Sequence, residues 1–158
     1  MRRRMFAGLL ILVALALALT SCSSGEKVDW ELKVSGAVSK PLTVSYDDLA
    51  GRTQTTLDDV LMDRSEGEDT SSTWEGVALS ELLNEAGVSD AASAVIFRAA
   101  DGYEREVDLA DVGDAIVALK ENGESLLGDE KLGPIRIVIP GLPASRWVGQ
   151  LVEIEVVE

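Results

Sequence analysis

Gly133-Pro134-Ile135-Arg136-Ile137-Val138-Ile139-Pro140-Gly141 places isoleucine at every second position between two prolines, with one charged residue inside the run. β-Branched residues in this density, closed at both ends by residues that cannot extend a ladder, predict a short strand buried in the interior with one polar exception. Arg136 is that exception. It is either paired with one of the chain's many carboxylates or placed for an anionic ligand, and the ion pair is the expected arrangement.

A buried strand needs sheet partners, and the flanking sequence supplies them. Upstream, Ala115 to Glu121 and Glu124 to Leu127 flank Asn122-Gly123, a two-residue turn suited to a hairpin. Ala94 to Ala100 and Tyr103 to Leu109 flank Asp101-Gly102 in the same way. Asp108 is positioned to cap a helical turn ending near Gly113. Downstream, Gln150 to Val157 alternates loosely and reads as the closing strand.

In the first half, Val28, Trp30, Leu32 and Val34 alternate with Asp29, Glu31 and Lys33, predicting a half-buried strand that turns at Gly36. Pro41 to Ser45 is a second extended piece, followed by one helical turn at Tyr46 to Leu49 ended by Gly51. Arg52 to Leu61 reads as a strand, and Asp63 to Thr73, with Asp63, Glu66, Glu68 and Asp69 and almost nothing apolar, as an exposed loop. Those acids lack the spacing of a calcium loop. Leu79, Leu82, Leu83 and Ala86 keep helical spacing up to Gly87, so Ala78 to Ala86 is expected to be a short amphipathic helix with glycine as its C′ residue.

The N-terminal segment has a different character. Arg2, Arg3 and Arg4 precede an apolar run from Met5 to Leu19, too short for a comfortable membrane span of about 20 residues, as expected of a secretion signal. Leu19-Thr20-Ser21-Cys22 resembles a bacterial lipobox, which implies cleavage before Cys22 and lipidation of its sulfur. The expected organisation is a leader over 1–21, a lipidated tether over 22–27 and one domain over 28–158. The lipid would hold that domain at the extracytoplasmic face of the cell membrane, because each buried methylene adds about 0.8 kcal/mol.

The chain carries 14 basic and 28 acidic residues and no histidine. Loss of the leader removes three arginines and no acid, so the net charge moves from −14 to −17. Nucleic acid is excluded as a partner, since phosphate binding needs clustered Lys and Arg. Without histidine there is no Ser-His-Asp or Cys-His apparatus and no imidazole ligand set for zinc.

Three segments together resemble the oxidoreductase molybdopterin-binding domain of the sulfite oxidase superfamily: Trp74-Glu75-Gly76-Val77-Ala78-Leu79-Ser80-Glu81-Leu82-Leu83, then Ala100-Asp101-Gly102-Tyr103, then Gly133 to Gly141 followed by Arg146-Trp147-Val148. Val34-Ser35-Gly36 and Lys40-Pro41-Leu42-Thr43 are similar to the opening strand and turn of that family. The resemblance implies an α+β sulfite-oxidase-like fold with mixed, multi-layer β-sheets, a β-grasp-like part and short helices. It also implies molybdopterin as the cofactor of the enzymes. By the same resemblance Trp74 lies on the cofactor side, and the loop Gly141 to Ser145 with Arg146 and Trp147 contacts pterin phosphate; Arg136 joins these candidate cofactor positions if it meets an anion, and the expected role of Trp74 is to anchor the adjacent helix in the core.

One departure bears on function. In the family's enzymes a cysteine placed between an early strand and the tryptophan matching Trp74 binds molybdenum. Thr53 to Thr73 contains no cysteine, and Cys22 is the only one in the chain. The Thr, Asp, Ser, Glu and Met side chains there are poor substitutes for a soft thiolate. Small members of the fold without this cysteine look like a non-catalytic branch, which this chain resembles. The expectation is a membrane-anchored domain without catalytic residues, metal or cofactor, binding an envelope protein or a small ligand. Its alternatives are a molybdopterin oxidoreductase with a non-cysteine metal ligand, and a purely structural lipoprotein.

Overall fold

The computed structural model describes residues 27–64 and 66–158; the expected leader, Cys22 and most of the tether lie outside them. Ten strands and two short α-helices follow one another as β1 (Glu31–Gly36), β2 (Leu42–Ser45), α1 (Tyr46–Gly51), β3 (Thr55–Met62), β4 (Thr70–Ala78), α2 (Leu79–Ala86), β5 (Ala94–Ala99), β6 (Glu104–Asp108), β7 (Ile116–Glu121), β8 (Glu124–Ser125), β9 (Arg136–Val138) and β10 (Leu151–Val157). One sheet has the order β2-β1-β10-β5-β6, and the other the order β3-β4-β7-β8 with β9 also paired to β7.

The first sheet joins the two ends of the domain. β1 runs parallel to β10, with Val34 opposite Ile154, while β2, β5 and β6 add antiparallel neighbours. The alternation read in β1 sends Leu32 and Val34 fully into the core. Trp30 Nε1 donates to the carbonyl of Leu151 at 2.8 Å, fixing the entry of the chain against the last strand. On the exposed face Arg98 gathers Glu104, Glu153 and Glu155 at 2.9, 3.0 and 2.7 Å, and those hydrogen bonds, with that of Glu104 the largest, raise its pKa above the ordinary value.

Local chemistry sets the turns and caps. Asn122 and Gly123 both hold positive φ, 51° and 80°, the pair a type I′ hairpin requires. α1 is closed by a capping box: Ser45 Oγ accepts from the Asp48 amide at 3.1 Å while the Asp48 carboxylate receives the Ser45 amide and hydroxyl. Those Ser45 bonds hold the Asp48 carboxyl below its usual range. α2 ends as expected at Gly87, whose φ of 66° lets its amide bond back to Leu83 and Asn84. Arg52 ties the two helices together through Glu81 at 3.0 Å and Glu85 at 2.8 Å.

Four local expectations are corrected. Thr70 to Thr73 belongs to β4 rather than to a loop, because Ser72 is buried and donates to Glu121 on β7 at 2.7 Å, and Asn122 receives the Thr73 amide. β8 stops at Ser125, whose hydroxyl accepts from Leu127 and turns the chain into a 3₁₀ turn. Asp108 precedes the 3₁₀ turn Leu109–Asp111 but makes no side-chain cap. The isoleucine strand is buried as expected, with Ile135, Ile137, Val138 and Ile139 fully enclosed, but its ladder is shorter than the run between the prolines and covers only Arg136–Val138.

Candidate functional site

β9 places Arg136 opposite Ala118 of β7, a position where the strand is enclosed and the residue is largely buried. Its guanidinium carbon lies 5.4 Å from the ring centroid of Trp74 and 5.2 Å from that of Trp147. The two indoles meet edge to face, with centroids 5.9 Å apart and an interplanar angle of 88°. Three of the four candidate cofactor positions therefore form one buried cluster.

The expected ion pair of Arg136 is not made: no carboxylate among the described residues comes within 4.0 Å of its guanidinium. Glu121, the strongest opposite charge acting on it, is already engaged by Ser72. The aromatic faces take the place of the carboxylate, through attraction of about 0.5–2 kcal/mol per contact. Burial nevertheless pushes the pKa of Arg136 below its ordinary value, against the raising effect of Glu121. Arginine still stays charged at neutral pH. Arg136 Nε and Trp74 Nε1 are buried donors without a partner among the described residues, whereas Trp147 Nε1 donates to Ile139 at 3.0 Å.

Arg136→Met keeps the unbranched apolar stem and removes both the desolvated charge and one orphaned donor. The expected change in urea-unfolding stability is within about 1 kcal/mol of zero, because lost cation–π attraction is offset by relief of the buried charge. A loss above about 2 kcal/mol would contradict this balance.

Arg146 lies elsewhere. The 3₁₀ turn Ala144–Arg146 turns Trp147 inward and leaves Arg146 exposed, donating to the carbonyl of Glu106 at 3.2 Å. Beside it Arg105 Nε and the Tyr103 hydroxyl both donate to the Ser145 carbonyl. After the loop Gly141 to Ser145, Arg146 thus faces solvent while the next residue, Trp147, enters the buried cluster.

The same loop borders a cavity of about 760 Å³ that the sequence reading did not assign. Its other walls are β3 from Thr55 to Leu61 and the turn Gly113 to Ile116. Asp58, Asp59, Asp63 and Asp114 line it and no Lys or Arg does. Within β3 the ladder to β4 shifts between Leu57 and Val60, and Asp59 sits at φ 51° on the bulge. Two successive acids interrupting the alternation of Thr56-Leu57-Asp58-Asp59-Val60 were the available signal.

A model of the oxidoreductase molybdopterin binding domain family matches residues 20–158. The chain belongs to this family. Uncharacterized oxidoreductase YuiH of Bacillus subtilis (strain 168) is 26% identical over 124 residues, covering 75% of this chain and 62% of that protein. The crystal structure of the sulfane dehydrogenase SoxCD from Paracoccus pantotrophus superposes with a TM-score of 0.74 at 26% identity, over 82% of this chain and 38% of that one. The α+β, sulfite-oxidase-like molybdopterin-binding fold is that of this domain. It spans less than two thirds of the length of either relative.

Family membership makes molybdopterin the group to test against the residues present, and they do not fit it. Between β3 and β4 the sulfur on offer is Met62, a buried thioether 3.6 Å from an Arg64 nitrogen, in place of a thiolate. The cavity beside the Gly141 to Ser145 loop would set a phosphate-bearing anion among four carboxylates. In four further surface cavities carboxylates also outnumber cations, as at Asp47, Asp48 and Glu85 around Arg52.

Proposed function

We propose that this member of the molybdopterin-binding domain family is a lipid-anchored, extracytoplasmic lipoprotein that has kept the fold and serves as a non-catalytic binding domain for an envelope protein or small ligand. The observation that carries this reading is the donor set: four carboxylates, no cation and no thiolate around the cavity between β3 and the Pro140–Pro143 loop. Redox chemistry at molybdenum requires the opposite provision, soft ligation of the metal and positive groups for the pterin phosphate. Scaffold retention without that provision leaves binding as the role, since fold alone does not carry activity. The anchor rests on Arg2 to Arg4, the apolar run and Cys22.

Two measurements on the full-length protein from a cofactor-competent host test the proposal. With artificial electron-transfer dyes and sulfite or sulfoxides, turnover is expected to equal that of a protein-free control; turnover proportional to protein would refute the non-catalytic role. Cys22→Ala is expected to move nearly all of the protein from the membrane to the soluble fraction. An unchanged membrane fraction would refute the lipid anchor.

A further inference from the structure

β3 is the outer strand of its sheet: among the described residues it pairs with β4 and with no other strand. An unpaired edge is a template for another strand, and proteins guard such edges with charge and bulges. Asp59 and the bulge at φ 51° are guards of that kind, while the neighbouring Asp58 carboxylate accepts from Thr73 Oγ1 of β4 at 3.3 Å. Guarding alone does not require a roofed groove, yet the Pro140–Pro143 loop stands across from the strand, and the Ala144 amide bonds to the Asp63 carbonyl just beyond its end. The groove between strand and loop is apolar at Leu57 and Leu142 and acidic at Asp58, Asp59, Asp63 and Asp114.

We infer that this groove receives an extended, lysine- or arginine-bearing segment of a partner protein, laid along the free edge of β3. Strand addition supplies main-chain hydrogen bonds, while alternate side chains of the incoming segment enter the groove or face its rim. Basic side chains meet the aspartates, and apolar ones between them meet Leu57 and Leu142. A second copy of this chain is a poor occupant, because pairing two β3 edges sets Asp58 and Asp59 against their own counterparts. A bound metal ion is not the occupant either, as no three acidic side chains among the described residues converge at chelating distance. Asp59 in the left-handed region is tolerated by its short polar side chain and places two successive acids on the edge.

This inference deepens the binding role proposed above and rests on it. The full-length, detergent-solubilised protein is titrated into a fluorescein-labelled heptapeptide of alternating lysine and valine at 0.15 M salt, with alternating glutamate and valine as the control. Because the whole domain is acidic, Asp58→Asn with Asp59→Asn is compared with Glu66→Gln and Glu68→Gln, which remove the same charge from the loop outside the groove. The expected result is anisotropy binding of the lysine peptide alone, weakened at least tenfold by the groove pair and less than twofold by the loop pair. Equal weakening by both pairs would show charge attraction without a site, and no binding would remove the site; either overturns the inference. Molybdenum content and membrane retention of the same preparations report separately on the proposed function.

Discussion

Trp74→Ala is expected to lower the stability of the domain by about 3–5 kcal/mol, the range for truncating a buried aromatic ring. For a domain of this size that corresponds to a fall in Tm of roughly 10–20 °C. Trp74 is fully buried in the middle of the second sheet and is held edge-on by Trp147. Its loss opens a cavity beside a buried guanidinium and leaves that guanidinium facing one ring instead of two. The cost is therefore coupled to Arg136. In the double variant Trp74→Ala with Arg136→Met, the loss should be smaller than for Trp74→Ala alone by about 1 kcal/mol, because a charge without its shelter is worse than no charge. Urea unfolding of the four corners of this cycle measures the coupling, and strict additivity would contradict the cation–π description.

Gly76→Ala is expected to be comparably damaging by a different route. Gly76 follows Trp74 by two residues on β4, so its missing side chain points to the same buried face, and it pairs with Ala118 of β7 where the register shifts. A methyl group built there runs into the carbonyl oxygen of Val117 and lies 2.6 Å from the Ala118 Cα. These are backbone atoms of the neighbouring strand and have no rotamer to yield. β4 and β7 must part, at a cost of about 3 kcal/mol, the upper end of the usual overpacking range. Gly113→Ala is the matched control: nothing lies within 4 Å of its added methyl, and the change should stay within about 0.5 kcal/mol of zero. Thermal denaturation of both variants checks the contrast, and equal shifts would contradict it.

Where one residue or one pair decides the local structure, the sequence was informative. Asn122-Gly123 specified a hairpin because two adjacent positive φ angles are cheap there, and Gly87 ended α2 for the same reason. The buried isoleucine strand was legible from its composition. So was its burial, whereas the environment of Arg136 within it was not, because alternation says nothing about what a charged exception will meet. Ser72 looked like loop chemistry because its burial depends on Glu121, 49 residues away in the chain. The pairing expected of Arg136 failed for the same reason: abundant carboxylates say nothing about which of them the fold brings near. Trp74 and Trp147 were recognisable through the family resemblance, but that they enclose the arginine between them is a tertiary fact. The groove along β3 depends on a remote loop, Pro140 to Pro143, and only the doubled acid Asp58-Asp59 marked it in the sequence.

The proposed function implies that features needed for stability are kept in this member of the family while those needed for molybdenum chemistry are not. Trp74, Gly76 and Arg136 lie in the second sheet with Trp147 packed against them, while β3, the strand before Trp74, carries a bulge with two aspartates. Elemental analysis for molybdenum, combined with pterin fluorescence after oxidative release, on full-length protein purified from a host that makes the cofactor tests this most directly. The account predicts molybdenum far below one atom per chain and no pterin above the level of an unrelated control protein. Molybdenum near one atom per chain, with stoichiometric pterin, would contradict it.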